Sequence, residues 1–256
     1  MNDTTIALVT GANKGIGREI AGQLAALGHS VVLAARSAEQ GEAAAAELRE
    51  TGAEASSVVL DVTDPASVAA AAAAVEARHG RLDVLVNNAG VAGPPGSSLA
   101  DQRPGSIDLA VLRRIFDTNF FGVLAVTDAL LPLLRRSAAP RIVNVSSSTA
   151  SLTAQTDPAV HAVVYAGLAT HELPVVAGYV PSKAALNAAT VMYAQQLRRE
   201  GILVNAVDPG FTATDLNGHT GHRTAAQGAV AAVRMATIGA DGPTGTFSGD
   251  DGPLPW

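Results

Sequence analysis

Short runs of β-branched residues alternate with longer helical patterns from one end of this 256-residue chain to the other. Parallel strands need long crossovers, usually helical, so this alternation predicts a parallel sheet with helices on both faces. The strand candidates are Ile6–Thr10, Val31–Ala35, Ser57–Leu60, Val84–Asn87, Arg141–Ser146, Leu203–Val207 and a seventh near Thr246–Phe247. After the first, Ile16, Ile20, Leu24 and Leu27 form one helical stripe that stops at Gly28. Asp64-Pro65 reads as an N-cap followed by Pro at the first helical position, opening a helix that ends near Gly80. Ile107 to Leu134 reads as one long helix, and Tyr179 to Glu200 as another closed by Gly201. The alanine runs Ala43–Ala46 and Ala69–Ala74 are taken as helix, although period does not place their buried face. The fold class expected is a doubly wound α/β domain with a seven-stranded parallel sheet.

Composition narrows the function. Hydrophobic residues make up 48% and charged residues 16%, which describes a core-forming globular chain. At this length one domain would bury roughly 75% of its unfolded surface, and no Pro/Gly/Ser linker divides the middle. A formal charge of −6 supplies no basic field for nucleic acid or an anionic membrane. With no cysteine, disulfides, thiolate metal sites and a Cys nucleophile are excluded. The start, Met1 to Thr5, has neither the cationic opening nor the apolar stretch of a secretion signal. The bland run Ala69 to Val75 is far short of a membrane span, so a cytoplasmic location is expected.

The first strand leads into Thr10-Gly11-Ala12-Asn13-Lys14-Gly15-Ile16-Gly17 and then a helix. Glycines there let the backbone approach a pyrophosphate, and the helix N-terminus aims N–H groups at it. The spacing Gly11-x-x-x-Gly15-x-Gly17 differs from the commoner G-x-G-x-x-G, and alone it marks only a tight corner. An acid at the end of the second strand would favour NAD, but this chain has Ala34-Ala35-Arg36 there, with Lys14 able to approach. Two cations and no acid favour NADP(H), leaving NAD(H) open.

Only two of the seventeen Lys and Arg residues are lysine, Lys14 and Lys183, which suggests that both positions want a compact ammonium. Lys183 follows Tyr179 by four residues, so both project from one helix face. A free phenol has pKa about 10, and a neighbouring ammonium should lower it and quicken proton exchange with a carbonyl or alkoxide. Ser146-Ser147-Ser148 follows Ile142-Val143-Asn144-Val145, at the end of a strand where parallel sheets present ligand-facing groups.

Taken in order, these segments resemble the short-chain dehydrogenase/reductase family along essentially the whole chain. The matching residues are the Thr10–Gly17 turn, Asp61-Val62, Asn87-Asn88-Ala89-Gly90, Asn119-Phe120-Phe121-Gly122, the Ser147 segment, Tyr179 with Lys183, and Pro209-Gly210. The resemblance implies a Rossmann-type fold with Tyr179 as general acid in reduction. Ser147, rather than Ser146 or Ser148, would polarise the carbonyl. Lys183 would tune Tyr179 and hold the nicotinamide ribose, and Asn119 would support a water-linked proton relay. The cofactor would meet Gly11, Asn13, Lys14, Gly15, Ile16, Gly17, Arg36, Asp61, Val62, Asn88, Ala89 and Gly90, with Pro209, Gly210 and Thr212 bordering the nicotinamide. The segment after Pro209-Gly210 would form a substrate lid, with Phe211 and Leu216 as pocket candidates.

The family's serine usually precedes its tyrosine by about a dozen residues, whereas Ser147 and Tyr179 lie 32 apart. Roughly twenty further residues, within 151–176, must therefore form an insert on the substrate side. Val160, Val163, Val164, Tyr165 and Leu168 suggest a short apolar-faced helix. The insert is similar to that of the carbonyl-reductase subgroup, where it covers the helix surface that relatives use for tetramers. A monomer is the favoured expectation, with a homo-oligomer open. His219 and His222 lack a third ligand and read as a polar loop, so no metal is expected. His161 and His171 read as solvated or capping, Tyr165 as pocket or core, and Trp256 as a pin for the C-terminus. The activity implied is reduction of a small ketone or aldehyde, with alcohol oxidation as its reverse. A 3-oxoacyl carrier-protein reductase, a sugar-alcohol dehydrogenase and a non-catalytic dinucleotide sensor remain as alternatives.

Overall fold

Every residue of β1 (Ile6–Thr10) is buried, because helices cover both faces of the sheet around it. It pairs in parallel with β2 (Ser30–Ala35), placing Ile6 beside Ser30, and with β4 (Val84–Asn87), placing Ala7 beside Val84. The computed structural model describes residues 4–94, 102–165 and 175–256. The remaining strands are β3 (Ala55–Val59), β5 (Arg141–Val145), β6 (Leu203–Val207), β7 (Phe247–Gly249) and β8 (Gly252–Pro253). The sheet order is β3-β2-β1-β4-β5-β6-β7-β8. The order reverses between β1 and β4, and the crevice beyond the strand ends at such a point is where doubly wound sheets bind ligands.

The expected seven-stranded sheet has eight strands among the described residues. β8 is antiparallel to β7 and only two residues long, following a turn that ends on Gly252 at φ +128°. A two-residue pairing carries no hydrophobic period, which is why the composition of this segment does not announce it.

The two faces of the sheet bury separate cores. Ala7 and Val9 face α1 (Gly15–Ala26), α2 (Ala38–Glu50) and α9 (Ala225–Ala236). Ile6 and Leu8 face α3 (Pro65–His79), the helix ending at Leu134, and α8 (Tyr179–Leu197). Fully buried side chains such as Leu8, Ile20 and Leu33 each contribute roughly 1.5–3 kcal/mol by leaving water. Leu27 does not join the α1 stripe. It is 60% exposed at the C-cap, because the helix ends at Ala26.

The long helix expected from Ile107 begins at Leu109, where the Asp108 carboxylate accepts from the Ala110 N–H. It runs as α4 (Leu109–Phe116), a π-helical turn over Asp117–Phe121, and α5 (Gly122–Leu134). In the insert, the one expected helix is two: α6 (Leu152–Thr156) and α7 (Pro158–Val164), capped by Ser151 and Asp157. Pro158 cannot donate the N–H that would carry α6 onward, so a new helix starts there. Val163 is 80% exposed, while His161 and Tyr165 are buried, so neither the apolar face nor the solvated histidine is as expected. Leu168 and His171 lie outside the described residues. The insert is tied to the C-terminus, where the Trp256 carbonyl accepts from the Thr153 N–H and the Ser151 hydroxyl. The Trp256 ring stacks on Phe247 at 5.6 Å.

Candidate active site

The glycine turn after β1 is built for close backbone approach. Gly11 and Gly15 take positive φ (64° and 56°). At Gly17 a Cβ would lie 2.4 Å from both the Gly11 carbonyl oxygen and the Asn88 amide nitrogen. Helices α2, α3, α4, α6, α7 and α9 each carry a side-chain N-cap. α1 has none at its cap residue Lys14, so its first N–H groups remain available to an anion. Asn88 braces the turn instead of lining it. Its Nδ2 donates to the carbonyls of Thr10 and Gly11 at 2.9 and 3.3 Å, and the Thr10 hydroxyl accepts from the Asn88 and Ala89 N–H groups. Asn13 donates to Gln40 at 3.0 Å, and Ile16 packs against the core.

Arg36 stands exposed at the end of β2. Asp61, half-buried beyond β3, accepts from the hydroxyl and N–H of Thr63 at 2.7 and 2.9 Å. These bonds, aided by the charge of Arg36, hold its carboxyl below the usual range. Val62 sits against Gly122, where a Cβ would come within 2.8 Å of it. Lys14 pairs with Asp215, in the segment after Pro209-Gly210, and Asp215 also binds His219 at 2.8 Å.

The nineteen residues of α8 carry the other half of the site, and the first is Tyr179. Lys183 lies one turn on, buried, with Nζ 5.9 Å from the centroid of the Tyr179 ring. That ammonium donates to the Val145 carbonyl at 2.8 Å, and burial lowers its pKa to about 8. The three serines separate by role. Ser146 is buried and donates to Asn187 at 2.6 Å, Ser147 shares a 2.9 Å hydrogen bond with Thr149 and lies beside the Tyr179 phenol, and the Ser148 N–H donates to Asp208. The lysine does not make Tyr179 acidic here. Burial, followed by the negative charge of Asp208, pushes the phenol up to about 12, against the neighbouring Ser147 hydroxyl.

Asn119 lies in the π-helical turn, a distortion that often re-aims one side chain at a functional site. It is fully buried, accepting from the Val91 N–H at 2.8 Å and donating to Val91 O and Ser182 Oγ at 2.9 and 3.0 Å. Gly90 keeps the space above these groups open, since a Cβ there would lie 3.4 Å from both Asn119 Oδ1 and Lys183 Nζ. The uncapped helix, the glycine turn and this gap together fit a phosphate-bearing ligand that ends beside Tyr179. Behind them, Asn87 donates to Thr127 and Asn144, and Asn144 donates to Thr190, joining β4, β5, α5 and α8 in one buried network.

At the far wall, Gly210 has φ +68°. Thr212 is buried with its hydroxyl on the Pro209 carbonyl at 3.0 Å, so it supports the turn from within. Phe211 and Leu216 are 52% and 41% exposed. His222 packs edge-on against Phe211, and no cluster of metal-ligating residues occurs among the described residues.

Five residues of this site were not singled out from sequence or were left undecided. Gln102, buried, accepts from the Tyr179 N–H at 3.1 Å and donates to the Ala92 carbonyl, so it caps α8 and ties it to the β4 loop. Gly178 makes room for it, because a Cβ there would lie 2.5 Å from Gln102 Oε1. Ser182 bridges Asn119 to the Tyr179 carbonyl. Tyr165 donates to the Ser148 carbonyl at 2.6 Å, and Asp208 joins the ends of β5 and β6. The one local signal was the glycine immediately before Tyr179.

The short chain dehydrogenase profile matches residues 5–167 and 160–225. This chain belongs to that family. The two matched stretches meet inside the insert. Salutaridine reductase of Papaver bracteatum is 36% identical over 292 residues, covering 94% of this chain and 93% of its own. (−)-Isopiperitenone reductase of Mentha piperita is 35% identical over 305 residues, covering 94% and 95%. Among solved structures, the NADPH-bound carbonyl reductase from chicken fatty liver superposes with a TM-score of 0.80 at 27% identity, covering 99% of both chains. The chain is therefore an oxidoreductase of the short-chain type. Among the described residues, no helix is long and apolar enough to cross a membrane.

Proposed function

We propose that this protein is an NADPH-dependent reductase that converts a small ketone or aldehyde to its alcohol, and runs in reverse on the alcohol. The observation that carries this reading is the buried Lys183 ammonium under the Tyr179 ring, with Ser147 beside the phenol at the end of β5. Bound along the glycine turn and past Gly90, NADPH would supply the hydride. Ser147 and Tyr179 hold the carbonyl oxygen between two hydroxyls, and the phenol proton passes to that oxygen as negative charge develops. A phenol pushed up to about 12 is protonated at neutral pH, which is the form that reduction needs. Lys183 holds a positive charge close to the phenolate left behind, and Asn119 fixes the strand-end loop beside it.

The cofactor assignment rests on Lys14 and Arg36 and on the absence of an acid at the end of β2. The NADPH-bound carbonyl reductase supports the same reading. A cytoplasmic monomer, with the insert as part of the one catalytic domain, completes the proposal. NADPH absorbance followed with a panel of activated ketones and aldehydes tests it. Turnover with NADPH above NADH is expected. Binding of NADPH without turnover on any carbonyl would instead mark a dinucleotide sensor, and a tetramer in light scattering would overturn the monomer.

A further inference from the structure

Asp208 directly follows β6 and immediately precedes Pro209-Gly210. Its Oδ1 accepts from the Ser148 N–H at 2.9 Å, and the Gly210 N–H and the Ser148 hydroxyl lie close enough to favour its charged form. Its own N–H donates to the Ser248 carbonyl on β7 at 2.9 Å. One residue thus fastens the ends of three neighbouring strands, next to the serine that lies beside the Tyr179 phenol. The partners that reach its carboxylate are donors, which match the ionised form. Arg223, which precedes α9 and pairs with Asp250, adds positive charge from the far side. Burial opposes ionisation and raises the carboxyl above its usual range. The groups facing Asp208 are Tyr179 from α8, Tyr165 beyond α7, Ser148 from β5 and Arg223. Its charge acts on both phenols, and the Tyr165 hydroxyl is already committed to the Ser148 carbonyl.

Resting on the carbonyl-reductase reading, we propose that Asp208 is a positioning residue for proton transfer. Its carboxylate fixes the Ser147–Ser148 loop against the Pro209-Gly210 turn and keeps negative charge beside Tyr179, so that the phenol holds its proton until a substrate oxygen takes it. Reduction needs the phenol and oxidation needs the phenolate. The carboxylate therefore extends reduction to higher pH and delays oxidation to higher pH.

The test compares Asp208→Asn with the unmodified protein in pH profiles of kcat/KM, using NADPH with a ketone and NADP⁺ with the matching alcohol. Asn keeps an acceptor for the Ser148 N–H and removes the charge. The basic limb of reduction and the rising limb of oxidation should both move down by about one pH unit, the scale of a nearby charge on a titrating group. A uniform loss of rate with both limbs unmoved, or an upward shift, would overturn the proposal. If the Asn variant does not fold, Asp208→Ser takes its place, and phenolate absorbance minus that of Tyr179→Phe is compared with and without the carboxylate, because burial alone also raises the phenol. Phenolate should appear only well above the ordinary tyrosine value of about 10 with the carboxylate, and at lower pH without it. An unmoved titration, or phenolate at or below that value in the unmodified protein, would refute the idea. This titration needs no turnover, so it is read even if no carbonyl is reduced and the enzymatic reading itself fails.

Discussion

The two ends of the site are held by different means. At the nucleotide end the work falls to backbone: positive-φ glycines, an uncapped helix and an Asn88 that braces the turn from behind. The side chains there, Lys14 and Arg36, stand in water, and Lys14 is 66% exposed even in its pair with Asp215. At the chemical end Lys183, Asn119, Ser182 and Gln102 are all buried, and each is bonded to a neighbour that is itself bonded. Solvent screens a charge at the first end, and burial away from solvent strengthens one at the second. Substitutions should therefore act in graded steps around the nucleotide and steeply around the phenol.

The steepest test is Tyr179→Phe. The ring keeps its packing and loses only the proton it would donate, so kcat should fall by about 10²–10⁴, the range for a positioned acid. NADPH affinity, measured by fluorescence titration, should stay within a factor of about three, because a phenol to phenyl change leaves the backbone cradle untouched. Undiminished turnover would break the distinction between the two ends, since the buried cluster would then have no chemical role.

Arg36→Asp probes the exposed end and should act more gently. It places a like charge where a 2′-phosphate would lie and restores the acid that accompanies a free ribose hydroxyl. The ratio of kcat/KM for NADPH over NADH should drop at least about tenfold, or ~1.4 kcal/mol, with kcat on NADH retained. An unchanged ratio would show that the cofactor preference is set elsewhere.

Much of this contrast is legible in the sequence, unevenly. The glycine turn and Tyr179/Lys183 show because a tight turn and a helical period each impose residue types at fixed short spacings. The residues that brace the phenol do not. Gln102 reaches Tyr179 from 77 positions away and Asp208 reaches Ser148 from 60, and no local pattern marks either pairing. The same blindness explains the one inverted expectation. Spacing says that Lys183 sits by Tyr179, which it does, but not that the site is dry and shares an acid, and these decide the direction in which the phenol moves. In the insert, the single expected helix breaks at Pro158, and the burial of His161 and Tyr165 comes with contacts to Ala154 and Ser148 that only the folded chain provides.

The smallest expected effect belongs to Asp215→Asn. Lys14 is held by Asp215, so a ligand phosphate that recruits this ammonium must first draw it from a carboxylate. Neutralising Asp215 removes that competitor, and NADPH should bind about two- to threefold more tightly at low salt, as suits one exposed pair. Near 1 M salt, where the screening length is about 3 Å, the difference should vanish. NADH, which has no 2′-phosphate, should show a smaller change under either condition. His219 loses its partner in the same variant, so His219→Ala is the control: it removes that contact but leaves Lys14 bound, and NADPH affinity should not rise. Weaker NADPH binding by Asp215→Asn would mean that the pair orients Lys14 for the phosphate instead of withholding it. The exposed end would then be pre-organised in the manner of the buried one.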